Sequence, residues 1–498
     1  MTHYDDDSLA LHTDLYEINM MKAYWDAGRA EQRAIFEVYF RENPFDNGFA
    51  IYAGLERVIG YLKDLHFTAS DIDYLRATEN YPEEFLEYLE NYRFTATVRS
   101  MVEGELCFAN EPLMQIEGEL ADLQLVETAV LNAINFQTLI ATKAARVRTV
   151  APDDSLSEFG SRRAQEMDAA IWGARAAYIG GFDSTSNVRA GKVLGVPISG
   201  THAHALVQAF RSDYEAFKAY AASHKNCVFL VDTYDVLNSG VPNAIRVANE
   251  LGDKINFIGV RIDSGDITYL SKRVREMLDK AGYPDATIVA SSDLDEKTIL
   301  NLKMQGAKVD SWGVGTKLIT GYDQPALGAV YKLVAIENEA GEMVPTMKIS
   351  SSPEKTSTPG RKQIWRITRG SDGKSEGDYV ALEDETLDTA GELFMFHPTY
   401  TYINKTVKKF KARPLLRTIF DKGELVYEKP SLDEVKAYAA ERLDELWDEY
   451  KRILNPARYP VDLSQKLYDL KMDNIHTINQ MVKNFVKANQ AEENENDA

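Results

Sequence analysis

The sequence predicts an α/β protein organised around a parallel sheet, and three observations carry that prediction. From about Ser155, short β-prone runs alternate with helical stretches at roughly 30-residue intervals, the length of a strand–helix–strand unit. The ends of those runs are polar, as ligand-binding strand ends are in such folds. The composition, 44% hydrophobic and 27% charged over 498 residues, is that of a soluble globular chain with more than one core.

Taken in order, residues 1–150 mix helix and strand as an N-terminal α/β domain. "LYEINMMKAYWDAG" reads as an amphipathic helix ending at Gly28, and "RAIFEVYFRENP" as a strand stopped by Pro44. "LQLVETAVLNAINFQTLIATKAARVRTVA" has apolar residues at helical spacing over many turns and predicts one long buried helix. Residues 151–335 follow as the βα domain, with strands "SLSEF", "STSNV", "VPIS", "CVFLVD", "FIGVRID", "TIVASS" and "KVDSWGV". Helices such as "RAQEMDAAIWGARAAYIGG", "AHALVQAFRSDYEAFKAYAAS" and "ITYLSKRVREMLDKAG" separate most of them. Such a series makes a parallel sheet, doubly wound or closed into a barrel. Residues 336–485 are less regular, with basic segments "SSPEKTSTPGRKQIW" and "NKTVKKFKARPLL" and a helix in "SLDEVKAYAAERLDELWDEYKRIL". Residues 486–498 read as an acidic, disordered tail.

Charge excludes several functions. A formal net charge of −21 repels phosphate backbones, so no nucleic-acid polymer is expected as a partner. No run is apolar enough for a membrane helix, and the acidic start lacks the features of a signal peptide. Two cysteines, Cys107 and Cys227, offer no disulfide framework, which points to a reducing cytoplasm. An anionic small substrate remains compatible where basic residues are concentrated.

The strand ends concentrate them. "EFGSRRAQE", "SGTHAHA", "VDTYDV", "VRIDSGD", "ASSDLDE" and "WGVGTKL" bring forward Arg162, Arg163, Thr201, His204, Asp232, Arg261, Asp263, Ser292, Asp293, Gly313, Gly315 and Thr316. One such loop is explained by helix capping; six together predict a pocket. "GVGTKL" offers backbone N–H groups, a hydroxyl and a cation at a helix start, which suits a monophosphate. "RAGKVLG" fails as a phosphate loop, since Val193 stands where Ser or Thr is needed. Acidic groups among arginines fit Mg²⁺ or ribose hydroxyls.

His202 and His204 could be plain solvated or core histidines, or could share a metal as in zinc hydrolases, but the other six histidines fall at none of these strand ends. A single imidazole able to attack phosphorus or shuttle protons fits the phosphate-rich setting.

Together "TDLYEINM", "EFGSRRAQEMD", "GTHAHAL", "VDTYD", "GVRIDSGD" and "GVGTKL" followed by "QPALGAVYKLV" resemble nicotinate phosphoribosyltransferases, from about Leu11 to Leu415. The resemblance implies an irregular (β/α) barrel of parallel strands, with the N-terminal α/β domain and a C-terminal extension packing on both. It implies transfer from phosphoribosyl pyrophosphate to nicotinate in NAD biosynthesis, with Mg²⁺ and with ATP hydrolysis coupled through a phosphohistidine. The family's histidine falls on His204, leaving His202 at a variable, incidental position. Asp232 would stand near the ribose, Arg261 and Thr201 at nicotinate, and Arg162 at the pyrophosphate or the carboxylate. Asp263, Ser292 and Gly313 belong to the same substrate-binding strand ends, and Gly315 and Thr316 match the 5′-phosphate loop. Phe159 and Tyr16 would sandwich the pyridine, Tyr16 arriving from the second subunit of a homodimer. Plainer explanations exist: Tyr16 as core, Asp232 as a cap, Phe159 as packing. Rival functions are a nicotinamide or quinolinate transferase, a metal-dependent hydrolase on the His-x-His pair, and an inactive nucleotide sensor.

Overall fold

The computed structural model describes residues 8–350 and 355–496, with side chains as far as Val486. Six parallel strands form the central sheet: β1 (Ser155–Glu158), β2 (Ser184–Thr185), β3 (Asn226–Leu230), β4 (Asn256–Ile262), β5 (Thr287–Ser291) and β6 (Ser311–Val314). Their order is β2-β1-β6-β5-β4-β3, so the first strand pairs with the last and the sheet curls. Leu156, Trp312, Ile288 and Val260 are fully buried along it, which is why these runs read as apolar in sequence.

The curl does not close. β2 and β3 are edges, and the expected strand "VPIS" contributes one bridge, Ile198 to Thr185. Pro197 has no N–H to give a ladder, and Gly195 sits at φ +76°, so the run cannot extend. The result is a half-barrel. The helices Glu166–Ile179 and Ile267–Lys280 lie where expected. "AHALVQAFRSDYEAFKAYAAS" divides into His204–Phe210 and Asp213–Ser223, because Arg211 adopts a left-handed conformation and Ser212 caps the second piece.

The N-terminal helix spans Leu15–Asp26 and the first strand Arg33–Tyr39. The long helix runs Glu127–Val150, preceded by a separate turn of helix, Leu120–Leu125. Its Thr138 and Thr142 hydroxyls accept the N–H groups of Ala53 and Ile51 at 3.1 and 3.0 Å, which satisfies backbone at a buried crossing. The N-terminal sheet has seven strands. Arg33–Tyr39, Thr97–Ser100 and Met114–Glu119 are joined by Val330–Glu337 and Met343–Pro345 on one side and by Arg417–Asp421 and Glu424–Leu425 on the other. The chain therefore re-enters this sheet at Val330, earlier than the expected boundary at 335.

The C-terminal region packs on both other parts. Arg366, fully buried on strand Lys362–Arg369, binds Asp378 and Glu105 at 2.6 Å each. Lys436, on helix Leu432–Glu445, reaches Phe182 O at 2.7 Å and Asp183 at 3.0 Å beside the half-barrel. The basic segments are drawn inward. Lys362 is buried against Glu37 at 2.9 Å. "NKTVKKFKARPLL" supplies strands Asn404–Lys408 and Phe410–Pro414, and its Arg413 binds Glu105. Residues 351–354 of the first segment lie outside the described residues. The last helix runs Gln465–Asn496, covering most of the stretch expected as disordered tail, where Ala, Gln and Glu favour helix. Both cysteines are free and buried, and among the described residues no helix is long and apolar enough to cross a membrane.

Candidate active site

The carboxyl ends of the strands form one connected polar site. His204 opens the helix Ala203 leads into, and its Nδ1 lies 3.1 Å from the Thr233 hydroxyl beyond β3. Its Nε2 stands 3.6 Å from Asp263 and 4.0 Å from Asp232. Both carboxylates are oriented by serines. Ser264 donates to Asp232 at 2.6 Å, and Ser291 at the end of β5 donates to Asp263 at 2.6 Å. Asp232 is almost entirely buried, with Oδ1 left without a hydrogen-bond donor in the protein. A buried, unpaired carboxylate oxygen is costly unless a ligand meets it.

Arg261, near the end of β4, donates to the carbonyl of His202 at 2.9 Å, and its Nε has no partner. Burial lowers its pKa; Asp263 and Asp232 oppose this and Arg162 reinforces it. Arg162 is exposed on the short turn Ser161–Arg163 after β1. β1 is anchored by buried Glu158, which accepts from the Gly160 N–H and from Thr185 at 2.6 Å. Burial raises the Glu158 pKa, against the two donors.

Phe159 lies over Gly313. A Cβ on Gly313 would come within 2.5 Å of the Phe159 ring and 3.2 Å of Ser291 Cβ, so the glycine lets ring and strand β6 meet. Phe159, Gly313, Ser291, Asp263, His204 and Asp232 are thus linked across one mouth. Gly315 and Thr316 follow at the start of the short helix Thr316–Ile319. Lys317, expected as a phosphate cation, instead pairs with Asp295 at 3.1 Å and with Asp293 at 4.0 Å. Thr201 is half-buried in the loop before His202, and Ser292 is exposed after β5.

Tyr16 is not part of this cluster. It is 46% exposed on the N-terminal helix, and its charged neighbours Glu127, Glu17 and Asp14 all belong to the N-terminal domain. The His-x-His pair is divided. His202 is buried against Tyr220 and Phe217, and its Nε2 accepts the Leu230 N–H at 3.2 Å, which leaves it unavailable as a ligand shared with His204. Thr233, Ser264, Ser291 and Glu158 were not among the expected site residues, although all lie within or beside the polar strand-end motifs. A groove of about 500 Å³ at the other end of β1 is lined by Arg148, Asp183 and Lys436, whose charges already pair with one another.

A half-barrel that gathers an imidazole, two oriented carboxylates and arginines at its strand ends defines an α/β-barrel enzyme. Comparison with known proteins specifies which. The chain matches the nicotinate phosphoribosyltransferase N-terminal domain over residues 11–135, the nicotinate phosphoribosyltransferase family over 155–390 and its C-terminal domain over 361–471. It is 59% identical to the nicotinate phosphoribosyltransferase of Bacillus subtilis (strain 168), over 95% of this chain and 97% of that one. It is 34% identical to the Homo sapiens nicotinate phosphoribosyltransferase, over 92% and 95%. The crystal structure of human nicotinic acid phosphoribosyltransferase superposes with a TM-score of 0.82 at 32% identity, covering 93% of this chain and 99% of that one. A nicotinate-nucleotide pyrophosphorylase from Pyrococcus furiosus shares the fold, with a TM-score of 0.68 at 24% identity over 89% and 97%. The chain belongs to the nicotinate phosphoribosyltransferase family.

Proposed function

We propose that the enzyme joins nicotinate to the ribosyl carbon of phosphoribosyl pyrophosphate, releasing pyrophosphate and forming nicotinate mononucleotide for NAD biosynthesis. We further propose that ATP hydrolysis is coupled through phosphorylation of His204. The observation that carries this is the His204 imidazole, flanked by Thr233 on one nitrogen and by Asp263 and Asp232 on the other.

In the transfer, the bond from ribose C1 to pyrophosphate breaks with its electron pair leaving on oxygen, and the pyridine nitrogen lone pair forms the new bond to C1. Phe159 offers a face for the ring, Arg261 and Thr201 a corner for its carboxylate, and Arg162 a cation for the departing pyrophosphate. Asp263 and Ser292 line the same mouth, and Gly315 and Thr316 present N–H groups and a hydroxyl to the 5′-phosphate. Tyr16, half-exposed beside exposed Leu15 and Met20, would cross to the site of a second copy in a homodimer with shared sites.

The carboxylates suit Mg²⁺ arriving with the substrate. Among the described residues there is no cluster of three ligating side chains, and magnesium is commonly held by one or two carboxylates plus substrate phosphates. Asp232 and Asp263 would hold it, with Asp232 offering its unpartnered oxygen. Magnesium bound there supplies charge neutralisation of pyrophosphate.

For the ATP step, the Thr233 hydroxyl accepts a hydrogen bond from Nδ1–H, which keeps the proton on Nδ1 and leaves the Nε2 lone pair to attack the γ-phosphorus. The bond to the ADP oxygen breaks with its electrons on ADP, and water later returns the phosphoryl group as phosphate. A phosphohistidine between two carboxylates adds like charge, a lever for a conformational shift between substrate-binding and product-releasing states. Buried, free cysteines suit a reducing cytoplasm.

The test is incubation with ATP and mapping of acid-labile phosphate, together with His204→Ala. The variant is expected to lose the ATP-driven enhancement and keep ATP-independent transfer; loss of basal transfer, or an intact ATP effect, would refute the role. Assays with nicotinate, nicotinamide and quinolinate side by side fix the acceptor.

A further inference from the structure

We propose that His202 is a positioning residue: its imidazole stands in for a missing strand at the open seam of the half-barrel and so holds the loop that carries His204. The proposal rests on the reading of His204 as the working imidazole.

The seam creates the need. β3 is an edge strand, paired only with β4, so alternate N–H groups along its outer side have no ladder partner. The Val231 N–H points inward, to the carbonyl of Arg261 at 3.1 Å, and the preceding Leu230 N–H therefore points out of the sheet. Leu230 is fully buried, so water cannot satisfy it. His202 Nε2 does, at 3.2 Å.

The same residue is tied at a second point. Its carbonyl accepts from Arg261 on β4 at 2.9 Å. One residue therefore fastens its loop to both neighbouring strands, through side chain and main chain. Three residues beyond Leu230, Thr233 holds His204 Nδ1 at 3.1 Å. The segment from Leu230 to Thr233 thus grips both histidines, and the distance between the seam and the reactive ring is set by a few rigid links.

Accepting at Nε2 requires the neutral tautomer with its proton on Nδ1, which faces the Ala203 carbonyl at 3.4 Å. A second proton would turn Nε2 into a donor aimed at another donor. The surroundings resist this: the ring packs on Phe217 and Tyr220 of helix Asp213–Ser223, with Arg261 and His204 as the nearby charged or titratable groups besides Tyr220. Burial first, and then those two neighbours, hold its pKa down at about 4. With the folded value below the ordinary one of 6.5, the contribution to stability is complete above about pH 6.5 and is lost as pH falls through about 4, where the ring protonates and the tie breaks.

The experiment compares His202→Phe, which keeps a packed ring without an acceptor, and His202→Gln, which restores one. Hydrogen exchange at the Leu230 amide reads the seam without any assay of activity. Wild type should protect that amide at pH 7 and lose protection on acidification toward pH 4. His202→Phe should expose it and lower kcat about tenfold or more, with KM for phosphoribosyl pyrophosphate moving less than about threefold. His202→Gln should restore both protection and most of kcat. Wild-type kcat in the Phe variant, or equal Leu230 protection in it, would overturn the proposal. If wild type forms no phosphohistidine, the reading of His204 fails, while the contrast in Leu230 exchange still decides whether the seam is closed by His202.

Discussion

Gly313 has no room for a side chain, because two Phe159 ring carbons would lie within 2.5 Å of its Cβ. Gly313→Ala is expected to push Phe159 aside and to cost about 1–3 kcal/mol as overpacking. Thermal unfolding would show the loss, and KM for nicotinate should rise more than KM for phosphoribosyl pyrophosphate, since the displaced face is the one offered to the pyridine. Single residues of this kind were legible in the sequence as types at strand ends: Asp232, Arg261, Asp263 and Gly313 lie there, and His204 opens the helix beside them. Their partners were not. Thr233 reaches His204, Ser264 reaches Asp232 and Ser291 reaches Asp263 only because of loop paths and strand neighbours that spacing does not encode. Lys317 shows the converse: the motif placed a cation at a phosphate loop, and a salt bridge to Asp295 from the neighbouring strand end claims it.

Among the elements, the N-terminal helix carries a buried acid whose charge is poorly accommodated. Glu17 accepts the Thr128 N–H at 3.0 Å and the Thr128 hydroxyl at 2.6 Å, yet burial raises its pKa to about 7. A folded pKa above the unfolded one means that the native state binds the proton more tightly. This contribution to stability is complete below about pH 4.5 and is lost as pH rises through about 7. Glu17→Gln, which keeps an acceptor for Thr128, should therefore leave Tm nearly unchanged at pH 5 and raise it at pH 8. A Tm gain of equal size at both pH values would contradict this account. Helices and strands were legible wherever periodicity ran unbroken, as in Ile267–Lys280 and Glu127–Val150. They were misjudged where one backbone conformation decided the outcome. Arg211 in a left-handed turn splits a helix whose apolar spacing continues past it, and Pro197 reduces a strand to a single bridge.

For the whole molecule, the parallel sheet and its polar mouth follow from the order of the βα units, whereas the N-terminal sheet does not follow from the order of its strands. Strands from residues 33–119, 330–345 and 417–425 complete it, and no local pattern announces which distant strand will pair with which. A fragment of residues 1–150 should accordingly fail to fold: its sheet would lack both flanking pairs of strands, and Glu105 would lose Arg366 and Arg413. Collapsed, poorly dispersed amide NMR signals are the expected result; a cooperative unfolding transition in the isolated fragment would disprove it. The same interleaving bears on synthesis. Thr97 and Asp421 meet although 324 residues separate them, so the first sheet stays unfinished until most of the polypeptide has emerged from the ribosome. During that interval its bare flanks are the surfaces a chaperone must shield, and a message cut short anywhere before the final strands yields a product fit only for proteolysis.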